Sequence, residues 1–425
     1  MNDIALAVGI FVLAYAAIVS EKVDRAAVAL LGGMATIILI HSYTQERAFQ
    51  AIDLNVLMLL TGMMVIANIM SDTGVFQWLG VQAIQLGKGN PTRIMQILVL
   101  ITALSSALLD NVTVVVLLAP VTLVATANLK INPIPFLIAE VLASNIGGTA
   151  TLIGDPPNIL IGSAAHIDFL TFLLQMGPYI LVTLIIFVFG LPLLFKKQLR
   201  IADDATEAQP AIDASSLITD KVLLRQSLVV LGLVLIGFML HGFLHLDTAT
   251  VALAGAATLM LWTKQTAHKV FQHVEWGTLM FFVGLFVLVE ALVEVGAIDI
   301  AAKWLLAATR GNETVTTLTL LWASGLLSGV VDNIPYTATV IPIIQELGNN
   351  GMNRWPLWWA LAIGADIGGN FTLVGASANV VVASFAERSG HKISFLTFTK
   401  YGAATSFAAL LLATFYLWIR YLAVF

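Results

Sequence analysis

Apolar runs of about 20 residues recur from one end of the chain to the other, and that is the length a helix needs to cross a ~30 Å hydrocarbon layer. Spans of this kind fall at 3–20, 26–41, 54–71, 136–162 and 172–195, and again at 225–242, 247–263, 274–295, 357–385 and 401–424. With 59% hydrophobic and 11% charged residues, against about 25% charged in soluble proteins, the solvent for most of this surface is lipid. Met1-Asn2-Asp3 and the run from Ile4 to Ser20 lack a basic leader and a small-residue cleavage pattern, so they read as the first span. Cysteine is absent, which excludes disulfides, thiolate metal sites and a cysteine nucleophile.

Two further stretches, 94–120 and 316–343, are too long for single spans and carry Asp-Asn at their centres. They read as hairpins that enter and leave on one side, each preceded by an amphipathic interfacial segment, 75–88 and 297–310. The most polar stretch, beginning at Lys196, is the one plausible linker. It divides the chain into a first repeat (1–195), a cytoplasmic linker (196–224) and a second repeat (225–425). This layout places 15 of the 20 basic residues on one side and 5 on the other. The positive-inside rule makes the richer side cytoplasmic, leaving both termini periplasmic in a multi-pass protein of the inner membrane.

The halves repeat. A shift of 222 residues lays Asp53 on Glu275, Gly62 on Gly284, Gly74 on Gly296, Asp110-Asn111 on Asp332-Asn333 and Pro120 on Pro342. A shift of 221 lays Asn145-Ile-Gly-Gly148 on Asp366-Ile-Gly-Gly369, Thr151 on Thr372, Gly154 on Gly375 and Asn158 on Asn379. Five full spans per half is an odd number, so the second half inserts upside down. The fold class is an all-α polytopic membrane protein of two inverted repeats, with about ten transmembrane helices, two re-entrant hairpins and two broken helices. Inverted repeats with paired discontinuous helices are the architecture of alternating-access carriers, with the site near the midplane.

The candidate chemistry lies at the tips and breaks. The first tip carries Asp110, Asn111 and Thr113, and the second Asp332 and Asn333. A carboxylate in hydrocarbon costs about 2.5–3.5 kcal/mol on insertion scales, so it must face protein, water or a ligand. Asp-Asn also caps helices well, so the plainer reading is a capped tip; recurrence in both halves favours substrate binding. The breaks carry Asn145, Gly147, Gly148, Thr149 and Thr151, then Asp366, Gly368, Gly369, Asn370 and Thr372. Paired glycines and Pro156-Pro157 cannot sustain a regular helix, and irregular backbone at this depth lines a cavity or is buried in protein. Close packing through small residues is the alternative. Asp110, Asp332, Asp366, Glu140 and Asp155 are the proton-coupling candidates. Apart from Arg225 and Arg420 near span ends, no Lys or Arg falls in the predicted spans. An anionic substrate would have to sit on helix N-termini, and the acidic set better suits a cation, a proton or a neutral hydroxylated solute, with protonation of a desolvated carboxylate as the coupling step. The seven histidines fall near span ends or loops and show no metal-ligand spacing.

The strings Leu-Leu-Asp110-Asn111-Val-Thr113, Gly154-Asp155-Pro-Pro-Asn158, Asp332-Asn333-Ile-Pro-Tyr-Thr and Gly368-Gly369-Asn370-Phe-Thr-Leu-Val-Gly-Ala-Ser-Ala-Asn379 resemble the ArsB/NhaD group of the ion transporter superfamily, along nearly the whole chain. They are also similar to the melanosomal P protein of that group. The resemblance implies proton-coupled transport of a small inorganic solute: arsenite/antimonite efflux, or sodium/proton antiport. No cofactor or nucleic-acid partner is implied. Related folds are often homodimers through a scaffold region, and the basic loops offer a dock for a cytoplasmic ATPase that nothing in the sequence demands. The chain itself has no phosphate loop ending in Gly-Lys-Ser/Thr and so does not hydrolyse ATP. Asp110 and Asp332 lack the Gly-x-Gly-Asp setting of an intramembrane aspartyl protease. An anion transporter and a channel are the remaining alternatives, the channel separable by saturation and counter-transport.

Overall fold

The computed structural model describes residues 3–20, 22–196, 198–199 and 217–423, and these are helical without a strand. The first half runs α1 (Asp3–Val19), α2 (Arg25–Leu39), α3 (Gln45–Gln50), α4 (Leu54–Ser71) and α5 (Val75–Gly87), then α6 (Pro91–Ser106), α7 (Asn111–Asn128), α8 (Ile134–Gly148), α9 (Pro156–Ala165) and α10 (Phe169–Leu194). The second half repeats the order as α11 (Lys221–Leu244), α12 (Thr248–Thr263), α13 (Ala267–Phe271), α14 (Trp276–Glu294) and α15 (Ala297–Thr309). It continues with α16 (Glu313–Val331), α17 (Asn333–Asn349), α18 (Arg354–Gly369), α19 (Ser377–Arg388) and α20 (Phe395–Leu417). Most of the linker expected over 196–224 lies outside the described residues.

Each expected hairpin is a helix pair, α6/α7 and α16/α17, and each long span with a glycine cluster is two helices, α8/α9 and α18/α19. The breaks have a local cause. Gly147-Gly148 and Gly368-Gly369 end the first helix, and Pro156-Pro157 can start but not continue one, because proline lacks the N–H that an interior turn requires. Helices α5 and α15, expected at the interface, both begin after a glycine at φ 77°, a left-handed turn that a side chain would oppose. On α15 the polar-tipped Trp304 is 71% exposed, as suits the membrane boundary.

Packing exchanges elements between the halves. Helix α2 packs on α14 and α4 on α12, while within each half the hairpin lies along the broken helix, α6 on α8 and α16 on α18. The consequence is a centre made of α8 and α18: every residue of Pro135–Gly148 and of Pro356–Gly369 is buried. Glu140, Ser144, Asn145 and Asp366 lie on these two helices, so polar groups that lipid would reject are enclosed by protein.

Candidate functional site

The repeat is realised as a repeated set of hydrogen bonds. Asn111 N donates to Gly154 O at 3.0 Å, and Asn333 N to Gly375 O at 3.2 Å, so each hairpin tip is docked on the break of its own half. Ser106 Oγ donates to Ser144 O at 2.7 Å, matched by Ser328 to Ala365 O at 2.6 Å. Thr151 Oγ1 donates to Ala107 O at 2.7 Å, matched by Thr372 to Gly329 O at 2.5 Å. Asn158 Nδ2 bridges Gly148 O and Thr151 O, and Asn379 Nδ2 bridges Gly369 O and Thr372 O. These two amides take up carbonyls that the broken helices leave without partners.

The docking needs bare backbone. A Cβ on Gly147 would collide with the main chain of Ala103, and one on Gly368 would lie 2.5 Å from Gly325 O. Both glycines are therefore required by contact with the hairpin, whatever the ligand.

Symmetry fails at the centre, and there the chemistry collects. Asn145 donates to Asn370 Oδ1 at 2.8 Å and to Asn379 Oδ1 at 3.1 Å, joining the two broken helices. Asn111 Nδ2 reaches Asn145 Oδ1 at 3.1 Å and Asp155 Oδ2 at 2.6 Å. Asn333 Nδ2 reaches Asp155 Oδ1 at 3.2 Å. Asp155 thus clasps the tips of both hairpins, and its equivalent in the second half is Ala376. The counterpart of Asn145 is Asp366, fully buried, whose two oxygens have no hydrogen-bond partner among the described residues. Its polar neighbours are Asn158 and Thr149. Their donors are engaged elsewhere: Thr149 Oγ1 on Asn145 O at 2.7 Å, and Asn158 Nδ2 on the carbonyls named above. Asn158 Oδ1 and Asn111 Oδ1 are also buried without a donor. Buried acceptors outnumber donors here, and each unpaired group costs about 1–3 kcal/mol.

The remaining expected residues lie around this centre. Asp110 Oδ1 accepts from Thr113 N at 2.9 Å and Asp332 Oδ1 from Ile334 N at 3.1 Å, so both recurrent aspartates cap the second helix of their hairpin. Thr113 enters through that backbone contact. Glu140 is buried away from the breaks on Thr122 Oγ1, at 2.5 Å. Asp366, Asn145, Asn370, Asn111, Asn333 and Asp155 come together; Asn158 and Asn379, marked in the sequence by the repeat and by the motif strings but not named as site residues, complete the set.

Arg25, at the start of α2, brings a basic side chain to the second hairpin tip. It lies 3.7 Å from Asp332, donates to Ser377 Oγ and stands 5.4 Å from the Phe281 ring. In sequence it merely opens a span after Asp24, which caps α2. Asp332 itself has φ 75° and ψ 135°, a backbone that L-residues adopt at a cost of about 1–3 kcal/mol, and Arg25 and Ser377 hold it there. A cavity of about 380 Å³ opens beside this pair, lined also by Asp24, Val331 and Val381. A second, of about 520 Å³, lies between the ends of α9 and α11 and includes Leu152, His166, Asp168, His241 and Asp247. Burial raises the Asp168 carboxyl, but hydrogen bonds from Thr171 and the nearby His241 outweigh this and hold it below the usual range. His166 and His241, two of the histidines near span ends, line this cavity.

Paired discontinuous helices clasped by hairpins, with polar groups enclosed at their crossing, define a membrane transporter of inverted-repeat build. The solved structure of the Alcanivorax borkumensis YdaH transporter, described as having an unusual topology, shares this fold: TM-score 0.62 over 99% of this chain and 98% of that one, at 17% identity. Residues 15–364 match the CitMHS family, described as citrate transporter, and the chain belongs to that family. It is 44% identical to the uncharacterized transporter Rv2684 of Mycobacterium tuberculosis over 98% of both chains. It is 33% identical to the human P protein, matching over 94% of this chain and 58% of that longer protein.

Proposed function

We propose that the chain is a proton-coupled secondary carrier of the inner membrane, exporting a neutral hydroxylated solute of the arsenite type by alternating access. The observation that carries this reading is the surplus of buried acceptors: both Asp366 oxygens, Asn158 Oδ1 and Asn111 Oδ1. Such a set is complete only with a proton, a cation or a solute that donates O–H groups. A trihydroxide supplies donors without charge. A proton on Asp366 turns one of its oxygens into a donor beside the unpaired Asn158 Oδ1, and releases the solute's hold there.

Sodium/proton antiport is the second reading, and the same oxygens favour it, since sodium and a proton would compete for Asp366. Citrate, which the family description names, is less suited to this centre. Asp155 and Asp366 are both carboxylates, and Arg25, the cation at the second tip, is engaged by Asp332. With the basic side cytoplasmic, the cavity beside Arg25 is the inner vestibule and the cavity at His241 the outer one.

Everted vesicles with an acid interior test this. Energy-dependent uptake of labelled arsenite, lost when the gradient is collapsed and in Asp366→Asn, is the expected result. Dequenching of a pH dye by sodium alone would select the antiport reading. Full coupling retained in Asp366→Asn would sink the proton assignment for either cargo.

A further inference from the structure

Asp155 stands at the N-cap position of α9, yet its side chain makes no cap hydrogen bond. Its carboxylate, 1% exposed, turns away from its own helix and accepts one amide from each hairpin: Asn111 at 2.6 Å and Asn333 at 3.2 Å. Two convergent N–H donors from opposite repeats, one to each oxygen, form a seat for a planar carboxylate. The repeat supplies an internal comparison. At the same register the second half has Ala376, with φ −147° and ψ 143° against −145° and 136° for Asp155. The break is therefore built equally well without a carboxylate, and the one on Asp155 serves the tips instead of the turn.

We propose that Asp155 is a specificity-determining residue: its side chain fills a carboxylate seat between the two hairpin tips and so excludes carboxylate solutes from the transport centre. This rests on reading the centre as the transport site and names a class of solute it refuses. It gives a physical reason for a member of a family described by citrate to carry something else. A carboxylate solute would have to displace a tethered group at very high local concentration, and would meet its negative charge.

Chemical rescue tests the seat by binding alone, so its outcome is separate from that of the Asp366 coupling assay. Asp155→Ala removes the carboxylate and leaves a formate-sized gap; Asp155→Gly leaves an acetate-sized one. In the purified full-length protein in detergent, saturating formate should raise the melting temperature of Asp155→Ala by roughly 2–4 °C over chloride at equal ionic strength, as a ligand bound only to the folded state does. Acetate should do the same for Asp155→Gly. Wild type and Asp155→Asn, whose seats are filled, should not respond to formate, acetate or citrate. Adding Asn111→Ala to Asp155→Ala should abolish the rescue. Variants that respond no more than wild type, or rescue that survives loss of Asn111, overturn the proposal. Should Asp155→Ala and Asp155→Gly not fold, wild type still decides: saturable stabilisation by citrate or acetate would refute an occupied seat, and its absence, with Asp155→Asn folded and equally silent, is the result expected.

Discussion

Four aspartates lie near the hairpin tips and breaks, and their neighbours give them different work. Asp110 and Asp332 hold backbone N–H groups at helix starts, Asp155 holds two side-chain amides, and Asp366 holds nothing. Asparagine caps a helix about as well as aspartate, so Asp110→Asn should fold and retain proton coupling, while Asp110→Ala should lose about 1 kcal/mol of stability. Loss of coupling in Asp110→Asn with coupling intact in Asp366→Asn would exchange the two roles. Glu140 is a separate case. Thr122 is the donor it has, so Thr122→Val should leave a buried carboxyl unpaired and cost about 1–3 kcal/mol in thermal unfolding. The sequence marks all five acids as buried and functional in kind. The caps of Asp110 and Asp332 are local and open to sequence reading, whereas the partners of Asp155 and the lack of them at Asp366 depend on which donors the fold brings near.

The hairpins and broken helices act as docked pairs. Gly147 and Gly368 allow backbone to approach backbone, and the same three contacts recur in each half. Gly147→Ala and Gly368→Ala should each destabilise by about 1–3 kcal/mol through overpacking, and each should slow transport by shifting a tip away from its break. Thermal unfolding and vesicle uptake read the two effects. A neutral result at Gly368 would mean that the hairpin stands farther from α18 than it does here. The breaks themselves are plain in the sequence, since Gly-Gly and Pro-Pro end and start helices by local sterics. Less plain is α7, an 18-residue helix long and apolar enough to cross a membrane alone; its docked N-terminus, not its composition, makes it half of a hairpin.

At the scale of the whole molecule, the two halves are tied by exchange, with α2 on α14 and α4 on α12, and by the contact of Arg25 with Asp332. That pair joins residues far apart in the chain, and its energetic coupling is measurable by a double-mutant cycle. Arg25→Ala and Asp332→Ala should show a non-additive term of about 0.5–3 kcal/mol, as contacting partly buried charges do. Additivity would remove the pair from the energetics of the second tip. Orientation is equally open to measurement because the chain has no native cysteine. A cysteine at exposed Ser389 should react with a membrane-impermeant thiol reagent only in everted vesicles, and one at exposed Ser42 only in intact spheroplasts. The reverse pattern would invert the proposed topology.

Hydropathy, charge bias and the internal repeat were enough to read the membrane class, the hairpins, the broken helices and the inverted order. All four follow from properties that act locally or repeat along the chain: lipid excludes unpaired backbone, glycine and proline stop helices, and an odd number of spans reverses the next copy. Which polar groups meet at the centre was decided only by the tertiary structure. Asn145 finds Asn370, Asp155 finds both tips, Arg25 finds Asp332 and Asp366 is left without a donor, because these arrangements depend on how segments distant in the chain are packed. The repeat predicts such residues in pairs. The fold places them on opposite sides of an interface where two copies of one motif cannot make the same contact, and there the asymmetric Asn145/Asp366 and Asp155/Ala376 positions acquire their separate roles.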